Sequence, residues 1–570
     1  MNKQAILHIP MSQYAYGMDE NHIVFRLRAA KADISLCTLI YGDRACRRTP
    51  VDYFRERMEI VASDTLFDWW EVTLETDFTR ICYAFLIEDR EGEKCFYYGD
   101  LFCDSLTPDR SAYFQLPFNH RADRIRVPEW MADAIVYNIF PDSFATGSRS
   151  VSGKATELRY GDHPVRGKLG GTIRGVTENL DYIRDLGFNC IYLNPIFAAG
   201  EYHKYDLLDY YHIDPAFGTD EDFRELVRKA HQMGIRVMID GVFNHCGWHF
   251  FAFEDVVKNG RSSRYWKWFY DLKEPVTVPD NMEDYPNYSC FGYERMMPKL
   301  ACDEPEVRDY FCKVGAYWVR EFDIDGWRLD VASEINDSFW RAFRQTVKAI
   351  RPDCALIGEV WESAGHWLDG SMFDSTMNYD FRKHCTAFFA KNSIDAEGFR
   401  HRVTDMLMRY RRPVAYGQLN LLDSHDVSRF LSLCGEDRSR QQLAVLFQMT
   451  FVGMPCVFYG DELEMTGIKE EEYRHPMPWE RADAPMLDFF RQVIQLRNRE
   501  AALRRGDFTC EKAEDGWFIY SRAYREEKVT VVMNVSKMAR PCPVKGKRML
   551  WNSGCHDGIL EANGAIVVKG

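Results

Sequence analysis

Arg328 and Asp330 stand two positions apart in GWRLDVA, the mainly apolar middle of the segment DGWRLDVASE, residues 325–334. Side chains in a β-strand alternate between the two faces, so Arg328 and Asp330 share one face while Leu329 and Val331 occupy the other. The cation favours the charged form of the neighbouring carboxylate. Such a pair at a strand end is typical either of a structural ion pair or of a functional site, and the rest of the chain must decide between them.

Three further strand-like segments also end in polar side chains. The segments are MIDGVFNH with Asp240, Asn244 and His245, LIGEVW with Glu359, and LLDSHD with His425 and Asp426. In a (β/α)8 barrel the active site lies at the carboxyl ends of the strands. Charges that recur on four strand ends therefore indicate one site and not isolated ion pairs.

The residue types restrict the chemistry of this site. Several carboxylates with histidine and arginine, and no serine or cysteine in a nucleophile elbow, suit acid/base catalysis on a neutral substrate. A metal site is the rival interpretation, because Asp240, His245, His425 and Asp426 are potential ligands. Barrel metallohydrolases usually gather histidines from the first strand onward, and AIVYNIFPDSF has none. We therefore expect no metal and no cofactor.

The elements that must position these residues repeat a helix-to-strand pattern from about residue 130 to 500. Val176, Leu180, Ile183 and Leu186 have helical spacing, and Gly187 and a short apolar strand follow. Repeats of this kind are the signature of a (β/α)8 TIM barrel and an α/β fold class. The aromatic-rich stretch at about 246–300 lacks the repeat, which predicts an inserted loop domain after barrel strand 3.

Short alternating runs flank the barrel region on both sides. Segments such as HIVFRLRAA and FDWWEVTLET precede residue 120, and GWFIYSRAYR and KVTVVMNVS follow residue 505. We predict an N-terminal β-sandwich at 1–122, a catalytic barrel at 123–504 and a C-terminal β domain, a second β-sandwich, at 505–570.

Composition limits the partners and the compartment. The net charge of -14 and the absence of a basic cluster exclude a nucleic acid or an anionic membrane surface as the expected partner. No apolar run is long enough to span a membrane, and the first residues lack the apolar core of a signal peptide. The seventeen cysteines form no C-x-x-C pair. These observations predict a cytoplasmic protein with reduced thiols.

The ordered motifs DGVFNH, GWRLDVASE, IGEVW and LLDSHD resemble the four signature regions of the α-amylase superfamily of glycoside hydrolases. GFNCIYLNPIF, HKYDLLDYY and VGMPCVFYGDE resemble its supporting segments, and MPKL with the preceding sandwich is most similar to the neopullulanase, cyclomaltodextrinase and maltogenic amylase branch. The resemblance implies a retaining hydrolase of α-1,4-glucosidic bonds in cyclodextrins, maltooligosaccharides and pullulan or starch, with transglycosylation as a side reaction.

The resemblance also assigns roles to individual residues. Asp330 matches the nucleophile, Glu359 the general acid/base and Asp426 the third carboxylate, which holds the sugar. The positions that it implies for substrate binding are Arg328, His245, His425, Tyr205 (as a stacking platform), His203, Asp206, Asn244, Trp361 and Glu334. It further implies a homodimer, in which the N-terminal domain narrows the active-site cleft of the partner.

The sequence departs from the family pattern at several positions. Ala301 and Ser333 replace asparagines that are usual in the branch, and FATGSRSVSGKA lacks the Asp and Asn residues of the usual calcium loop. Two alternatives stay open: an α-1,6-glucosidase of the same superfamily, which MPKL disfavours, and a non-catalytic glucan-binding homologue, which would typically have lost acidic residues.

Overall fold

A computed structural model describes residues 1–147, 149–281, 283–481, 485–544 and 546–570 of the chain. The chain divides into two compact units. One consists of Met1–Arg126 with Ile394–Tyr416, and the other of Val127–Ser393 with Gly417–Gly570.

The N-terminal strands form two antiparallel sheets around one core, as the alternating runs predict. The strands are β1 (Ala15–Gly17), β2 (His22–Ala30), β3 (Ile34–Asp43), β4 (Phe54–Arg57), β5 (Glu59–Ser63), β6 (Phe67–Glu75), β7 (Ile81–Asp89), β8 (Lys94–Tyr98), β9 (Leu101–Cys103) and β10 (Phe114–Leu116). One sheet has the order β1-β2-β6-β5, and the other has β4-β3-β7-β8-β9 with β10 on β7. Phe25 and Tyr83 join the two sheets in the core, with ring centroids 4.6 Å apart.

Between the two flanking β regions, strands alternate with helices. The strands are β11 (Val136–Ile139), β12 (Thr156–Tyr160), β13 (His163–Gly167), β14 (Cys190–Leu193), β15 (Arg236–Gly241), β16 (Cys290–Phe291), β17 (Glu294–Pro298), β18 (Gly326–Leu329), β19 (Ala355–Gly358), β20 (Ser375–Thr376), β21 (Leu419–Leu421) and β22 (Met454–Phe458). The helices are α1 (Pro141–Phe144), α2 (Ile173–Glu178), α3 (Leu180–Leu186), α4 (Asp220–Gln232), α5 (Phe251–Asn259), α6 (Pro305–Phe322), α7 (Asp337–Ile350), α8 (Tyr379–Cys385), α9 (Ala396–Met408), α10 (Arg412–Ala415), α11 (Phe430–Leu433), α12 (Arg438–Thr450), α13 (Glu470–Tyr473), α14 (Pro485–Arg499) and α15 (Ala501–Arg505).

In the described part of the chain, eight parallel strands form the predicted barrel. Their order is β20-β19-β18-β15-β14-β11-β22-β21, and a parallel bridge between Met377 and Leu419 closes the ring. The inward side chains, among them Val136, Tyr192 and Ile357, are buried against one another. A packed interior of this kind leaves only the rim at the strand ends for chemistry.

The first predicted barrel helix is two helices in the structure. Asn179 separates α2 from α3 because its side-chain amide donates to the backbone oxygens of Gly175 (2.8 Å) and Gly147 (3.1 Å). Side-chain hydrogen bonds of this kind compete with the helical ladder. The predicted end of the helix is correct, since Gly187 is left-handed at φ 102°.

Two hairpins project from the loops between barrel strands. β12 and β13 pair after the first barrel strand, and β16 and β17 pair within the insertion after β15. A bridge between His245 and Lys299 closes the base of that insertion.

The helical segment Ile394–Tyr416 belongs to the same compact unit as the N-terminal sheets, although the sequence places it among the barrel repeats. Arg400 Nη1 donates to the backbone oxygen of Ser63 at 2.8 Å, and Arg26 Nη1 donates to that of Met408 at 3.2 Å. Helical periodicity indicates that α9 is amphipathic, and it does not indicate which surface covers its apolar face.

The last strands are β23 (Asp507–Glu514), β24 (Trp517–Tyr524), β25 (Glu527–Asn534), β26 (Arg540–Pro541), β27 (Arg548–His556) and β28 (Ile559–Lys569). In the described residues they form one antiparallel hydrogen-bonded network, in which the eleven-residue β28 pairs with β25, β26 and β27. All seventeen cysteines are free thiols. Within the described ranges, no helix combines the length and the apolar character that a membrane crossing needs.

Candidate active site

Arg328 is the centre of the polar cluster at the barrel rim. Its side chain is fully buried, and Nη1 donates to Asp330 Oδ1 at 2.6 Å and to Asp240 Oδ1 at 3.0 Å. Its Nη2 lies 2.7 Å from Glu359 Oε1 and 3.9 Å from Asp426 Oδ2. One guanidinium thus contacts the carboxylates from all four strand ends that the sequence analysis singled out.

The parallel ladder explains why these groups meet. Asp240 lies opposite Arg328 in the β15–β18 register, and Leu329 lies opposite Gly358 in the β18–β19 register. Asp330 follows Leu329 and Glu359 follows Gly358, so the two carboxylates leave neighbouring strands at the same level. Neighbouring strands are about 4.8 Å apart, which brings both side chains within reach of one cation.

A strained residue fixes the orientation of Glu359. Val331 follows Asp330 with φ 44°, a left-handed conformation that is unfavourable for a β-branched residue. In this conformation its N–H donates to Glu359 Oε2 at 2.9 Å. Strain of this kind persists where surrounding structure enforces it, and it often occurs at functional sites.

Asp426 is held by a neutral histidine. The amide nitrogen of Asn194 donates to His425 Nδ1 at 2.8 Å, so the ring proton lies on Nε2, which is 3.0 Å from Asp426 Oδ2. Burial lowers the pKa of His425 well below its ordinary value, and Arg328 adds to this effect. The neutral ring can therefore donate one hydrogen bond without adding charge to the site.

The carboxylates exceed the available positive charge. Burial raises the pKa of Asp330 well above its usual range; Arg328 opposes the rise, and Glu359 and Asp240 add to it. Burial likewise raises the pKa of Asp426 to about 7, with Glu359 as the next cause. Arg328 lowers the pKa of Asp330, as predicted from the sequence, but the opposite effect of burial is larger. The cluster can therefore retain a proton near neutral pH.

Tyr205 and Asp240 lie beneath the cluster. The Tyr205 hydroxyl is 2.5 Å from His425 Nε2 and donates to Asp240 Oδ2 at 3.1 Å, and its ring is parallel to that of His425 at 5.7 Å. Tyr192 also donates to Asp240 Oδ2, at 2.8 Å. These contacts anchor the inner wall of the site.

His245 presents an unused polar atom. The side chain is buried, and Nε2 has no hydrogen-bond partner among the residues that the structure describes. Burial lowers its pKa to about 3, and Lys299 adds to the shift. Phe291 of the inserted hairpin stacks on the ring at 4.8 Å. A buried unpaired nitrogen is costly, which makes it a candidate to bind a substrate hydroxyl.

Trp361 is the exposed aromatic residue of the site. Its side chain is 51% exposed, its ring stacks on Tyr379 at 3.7 Å, and its Nε1 donates to Glu359 Oε1 at 3.2 Å. It therefore offers an apolar face to solvent directly beside that carboxylate.

Asn244 and Glu334 are joined by a lysine that the sequence analysis did not single out. Lys299 Nζ donates to Asn244 Oδ1 and, at 2.9 Å, to Glu334 Oε2. Lys299 belongs to the quoted MPKL segment. The backbone bridge between Lys299 and His245 brings the lysine to these two side chains, and the sequence does not show this bridge.

Two of the predicted binding residues form hydrogen bonds within their own loop. Both oxygens of Asp206 accept from the backbone N–H of Glu201, at 3.0 and 3.1 Å, and burial raises the pKa of Asp206 to about 6. His203 Nδ1 accepts from the backbone N–H of Tyr205 at 3.1 Å, and burial lowers its pKa to about 4. The structure gives neither residue a contact with the Arg328 cluster, although their loop carries Tyr205.

Arg474 is a second cation at the site. Its Nη2 is 3.5 Å from Asp426 Oδ1, its Nε donates to the backbone oxygen of His425 at 2.8 Å, and its guanidinium lies over the ring of Phe140. The contact with Asp426 depends on the fold of the loop after β22.

Comparisons with known proteins agree with this geometry. Residues 138–535 match the family model of the alpha amylase catalytic domain, and residues 1–120 match that of the alpha amylase N-terminal ig-like domain. A cyclomaltodextrinase of Geobacillus thermopakistaniensis is 41% identical, with 95% of this chain and 93% of the relative covered. An intracellular maltogenic amylase of Bacillus subtilis is 39% identical, with 88% and 85% covered. A solved cyclomaltodextrinase structure aligns over 100% of both chains with a TM-score of 0.90 and 35% identity.

The raised pKa of Asp426 predicts a pH-dependent stability. The folded chain holds this proton more tightly than the unfolded chain, where the pKa is near 3.8, so the stabilisation is full below about pH 4 and is lost as the pH rises through about 7. We expect Asp426→Asn to remove this loss, which amounts to at most about 4 kcal/mol.

Calorimetry between pH 4 and 8 measures the difference in melting temperature between the wild type and Asp426→Asn. The melting temperature of the wild type should fall relative to that of Asp426→Asn as the pH rises. Glu362→Gln, at an exposed carboxylate near the same rim, should run parallel to the wild type. A pH-independent difference between Asp426→Asn and the wild type would contradict the assignment.

Proposed function

The chain belongs to the α-amylase family, and we propose that it hydrolyses α-1,4-glucosidic bonds of cyclodextrins and maltooligosaccharides with retention of anomeric configuration. The observation that carries the proposal is the contact of one buried guanidinium with Asp330 and Glu359 at the ends of adjacent strands. Glycosidases act through a pair of carboxylates, and the pair lies closer together in retaining enzymes, about 5–5.5 Å apart, than in inverting enzymes. Two carboxylates that contact one guanidinium from adjacent strands fit the closer spacing.

In the proposed reaction, Glu359 donates a proton to the glycosidic oxygen while Asp330 attacks the anomeric carbon. The bond to the leaving sugar breaks, and a glycosyl-enzyme ester forms on Asp330. Glu359, now ionised, removes a proton from water, and the water oxygen attacks the same carbon and releases Asp330. A sugar hydroxyl in place of water gives transglycosylation.

Arg328 orients the two carboxylates that act in both steps of the reaction. It fixes one oxygen of each carboxylate, while the N–H of Val331 fixes the other oxygen of Glu359. The third carboxylate, Asp426, is placed to accept hydrogen bonds from hydroxyls of the sugar under attack, and neutral His425 supports it through Nε2.

The remaining predicted binding residues divide by their environment. His245 has a free buried nitrogen for a hydroxyl, and Trp361 has an exposed face for a sugar ring on the leaving-group side. Asn244, Lys299 and Glu334 form a polar row at the base of the insertion, and we propose that they contact the sugars beyond Trp361. Tyr205, His203 and Asp206 are proposed to shape the inner wall.

The alternative functions are less well supported. A non-catalytic homologue would not need to bury four carboxylates around one cation, because burying such charge is costly. An α-1,6-glucosidase would use the same catalytic groups, so only substrate assays separate it from the α-1,4 enzyme. The relatives named cyclomaltodextrinase favour the α-1,4 reading.

We propose that the chain works as a homodimer in the cytoplasm. The N-terminal sheets expose apolar side chains, among them Phe54 on edge strand β4 and Ile60 and Val61 on edge strand β5. Exposed apolar edges are typical of interfaces. The free cysteines and the intracellular maltogenic amylase relative support the compartment, which cell fractionation tests.

The proposed function predicts the order of activity on different glucans. We expect release of reducing sugar from β-cyclodextrin and maltohexaose at higher kcat/KM than from starch, and no release from isomaltose. Chromatography of early products by anomer should show the α-configuration of a retaining enzyme. Release from isomaltose at a comparable rate, or a β-anomeric product, would refute the proposal.

The catalytic roles predict different behaviour for two variants. Glu359→Gln should lose about 100- to 10,000-fold in kcat on maltooligosaccharides, the usual range for a general acid. It should retain far more of its activity on maltosyl fluoride, whose leaving group needs no proton. Asp330→Asn should lose activity on both substrates, because the nucleophile is needed in either case.

Glu362→Gln is the matched control for these variants, since this exposed carboxylate lies three residues after Glu359. Circular dichroism should show each variant folded. If Asp330→Asn kept activity on maltosyl fluoride while Glu359→Gln lost it, the two roles would be reversed.

The dimer proposal predicts that light scattering gives twice the chain mass of 66.8 kDa. Ile60→Lys should shift the protein toward the monomer because it buries a charge in the interface. Ile559→Lys, at a similarly exposed isoleucine of the C-terminal sheet, should not. A point variant is preferable to deletion of residues 1–122, because that deletion would uncover Ile394–Tyr416. A monomeric wild type would end this proposal.

A further inference from the structure

Two histidines and a glutamate converge at a place that the proposed reaction does not use. His249 Nδ1 lies 2.8 Å from Glu254 Oε1, and His163 Nε2 lies 3.4 Å from Glu254 Oε2. One donor atom from each residue lies within 4.8 Å of the other two. We propose that these three residues bind a divalent zinc-like cation, which joins the β12–β13 hairpin to the start of the insertion after β15.

The three side chains are presented by ordered segments. His163 is the first residue of β13 and pairs with Tyr160 across the hairpin. His249 precedes α5, and Glu254 lies in the first turn of α5. The backbone before His249 is fixed by a hydrogen bond from Trp248 N to Met296 O at 2.9 Å. The ligands therefore come from two distant parts of the sequence and are already aimed at one point.

The ligand set selects the class of metal. Two imidazoles and one carboxylate are a known set for Zn²⁺, with a water molecule in the fourth tetrahedral position. Ligand atoms about 2.0–2.2 Å from a tetrahedral metal are about 3.4 Å apart. The two histidine–glutamate distances, 2.8 and 3.4 Å, are near this value, and the two imidazole donors lie within 4.8 Å of each other. Calcium prefers six to eight oxygens and does not fit this set.

The site is accessible from solvent. The side chains of His163, His249 and Glu254 are 26%, 42% and 38% exposed, which leaves space for the entering ion and its water ligand. A metal-free explanation also exists, because Glu254 can accept a hydrogen bond from each imidazole while the two rings stack at 4.5 Å. The two explanations differ in what Zn²⁺ does to the protein.

A cation here would act on the insertion and not on the reacting bond. His249 follows His245 by four residues, and His245 carries the free nitrogen at the rim. A bound ion would therefore restrain the segment that leaves the active site toward the insertion. The chemistry assigned to Asp330 and Glu359 does not require it.

Titration of the full-length reduced protein with Zn²⁺ tests the proposal by competition with a metal-sensitive dye. His163→Asn, His249→Asn and Glu254→Gln should each weaken binding at least about tenfold, since even outer partners of metal ligands contribute that much. His22→Asn is the matched control, because His22 pairs with Asp19 at 2.8 Å and has similar exposure, with no second histidine in that pair. Hydrolytic activity without added Zn²⁺ should show that each variant is folded.

Two further measurements locate the ion. Co²⁺ added to the wild type should give the visible absorption of a tetrahedral complex, and this absorption should be absent in His249→Asn. Zn²⁺ should slow amide hydrogen exchange in residues 156–167 of the wild type only. Equal Zn²⁺ affinity in the wild type and all three ligand variants would assign the binding to the cysteines or other surface groups and would overturn the proposal, as would no binding at all.

Discussion

The site depends on one buried cation among too many carboxylates. Removing Arg328 from water is costly, and the cost is offset only because Asp240, Asp330, Glu359 and Asp426 all approach it. The same arrangement is unfavourable for the acids, since Arg328 together with Arg474 beside Asp426 cannot neutralise four negative charges. The raised pKa values of Asp330 and Asp426 express this excess. A buried cluster of this kind resists full ionisation.

The barrel supplies the rigidity that this arrangement needs. Parallel strands hold Asp240, Arg328 and the residues after them in a fixed register, and the packed interior prevents the strands from relaxing. Hydrogen bonds outside the cluster then set single orientations. Val331 N–H holds Glu359, and Asn194 sets the tautomer of His425. Neither of these contacts adds a charge to the site.

The loops add what the barrel does not specify. The insertion after β15 brings Phe291 onto His245 and Lys299 between Asn244 and Glu334, and the loop after β22 brings Arg474 to Asp426. The β12–β13 hairpin meets the start of the same insertion at His163 and His249. Family members share the barrel rim, so differences among them in substrate choice are expected to lie in loops of this kind.

The sequence by itself determined the parts that follow from local patterns. Alternating runs gave the N-terminal sheets, helical spacing with Gly187 gave a helix end, and polar residues at strand ends gave Asp330, Glu359 and Asp426. The predicted sheets and the helix end agree with the structure because side-chain periodicity is a local property. The break at Asn179 was not foreseen, since a side-chain hydrogen bond to a distant loop decides it.

Only the tertiary structure decided the properties that arise between segments. The sequence could state that Arg328 favours an ionised Asp330, but the balance with burial needs the other three carboxylates in place. It named Asp206 and His203, yet their hydrogen bonds lie within their own loop. It did not single out Lys299 or the convergence of His163 with His249 and Glu254. Distances between residues remote in sequence are set by how loops return over the barrel, and no local pattern records that path.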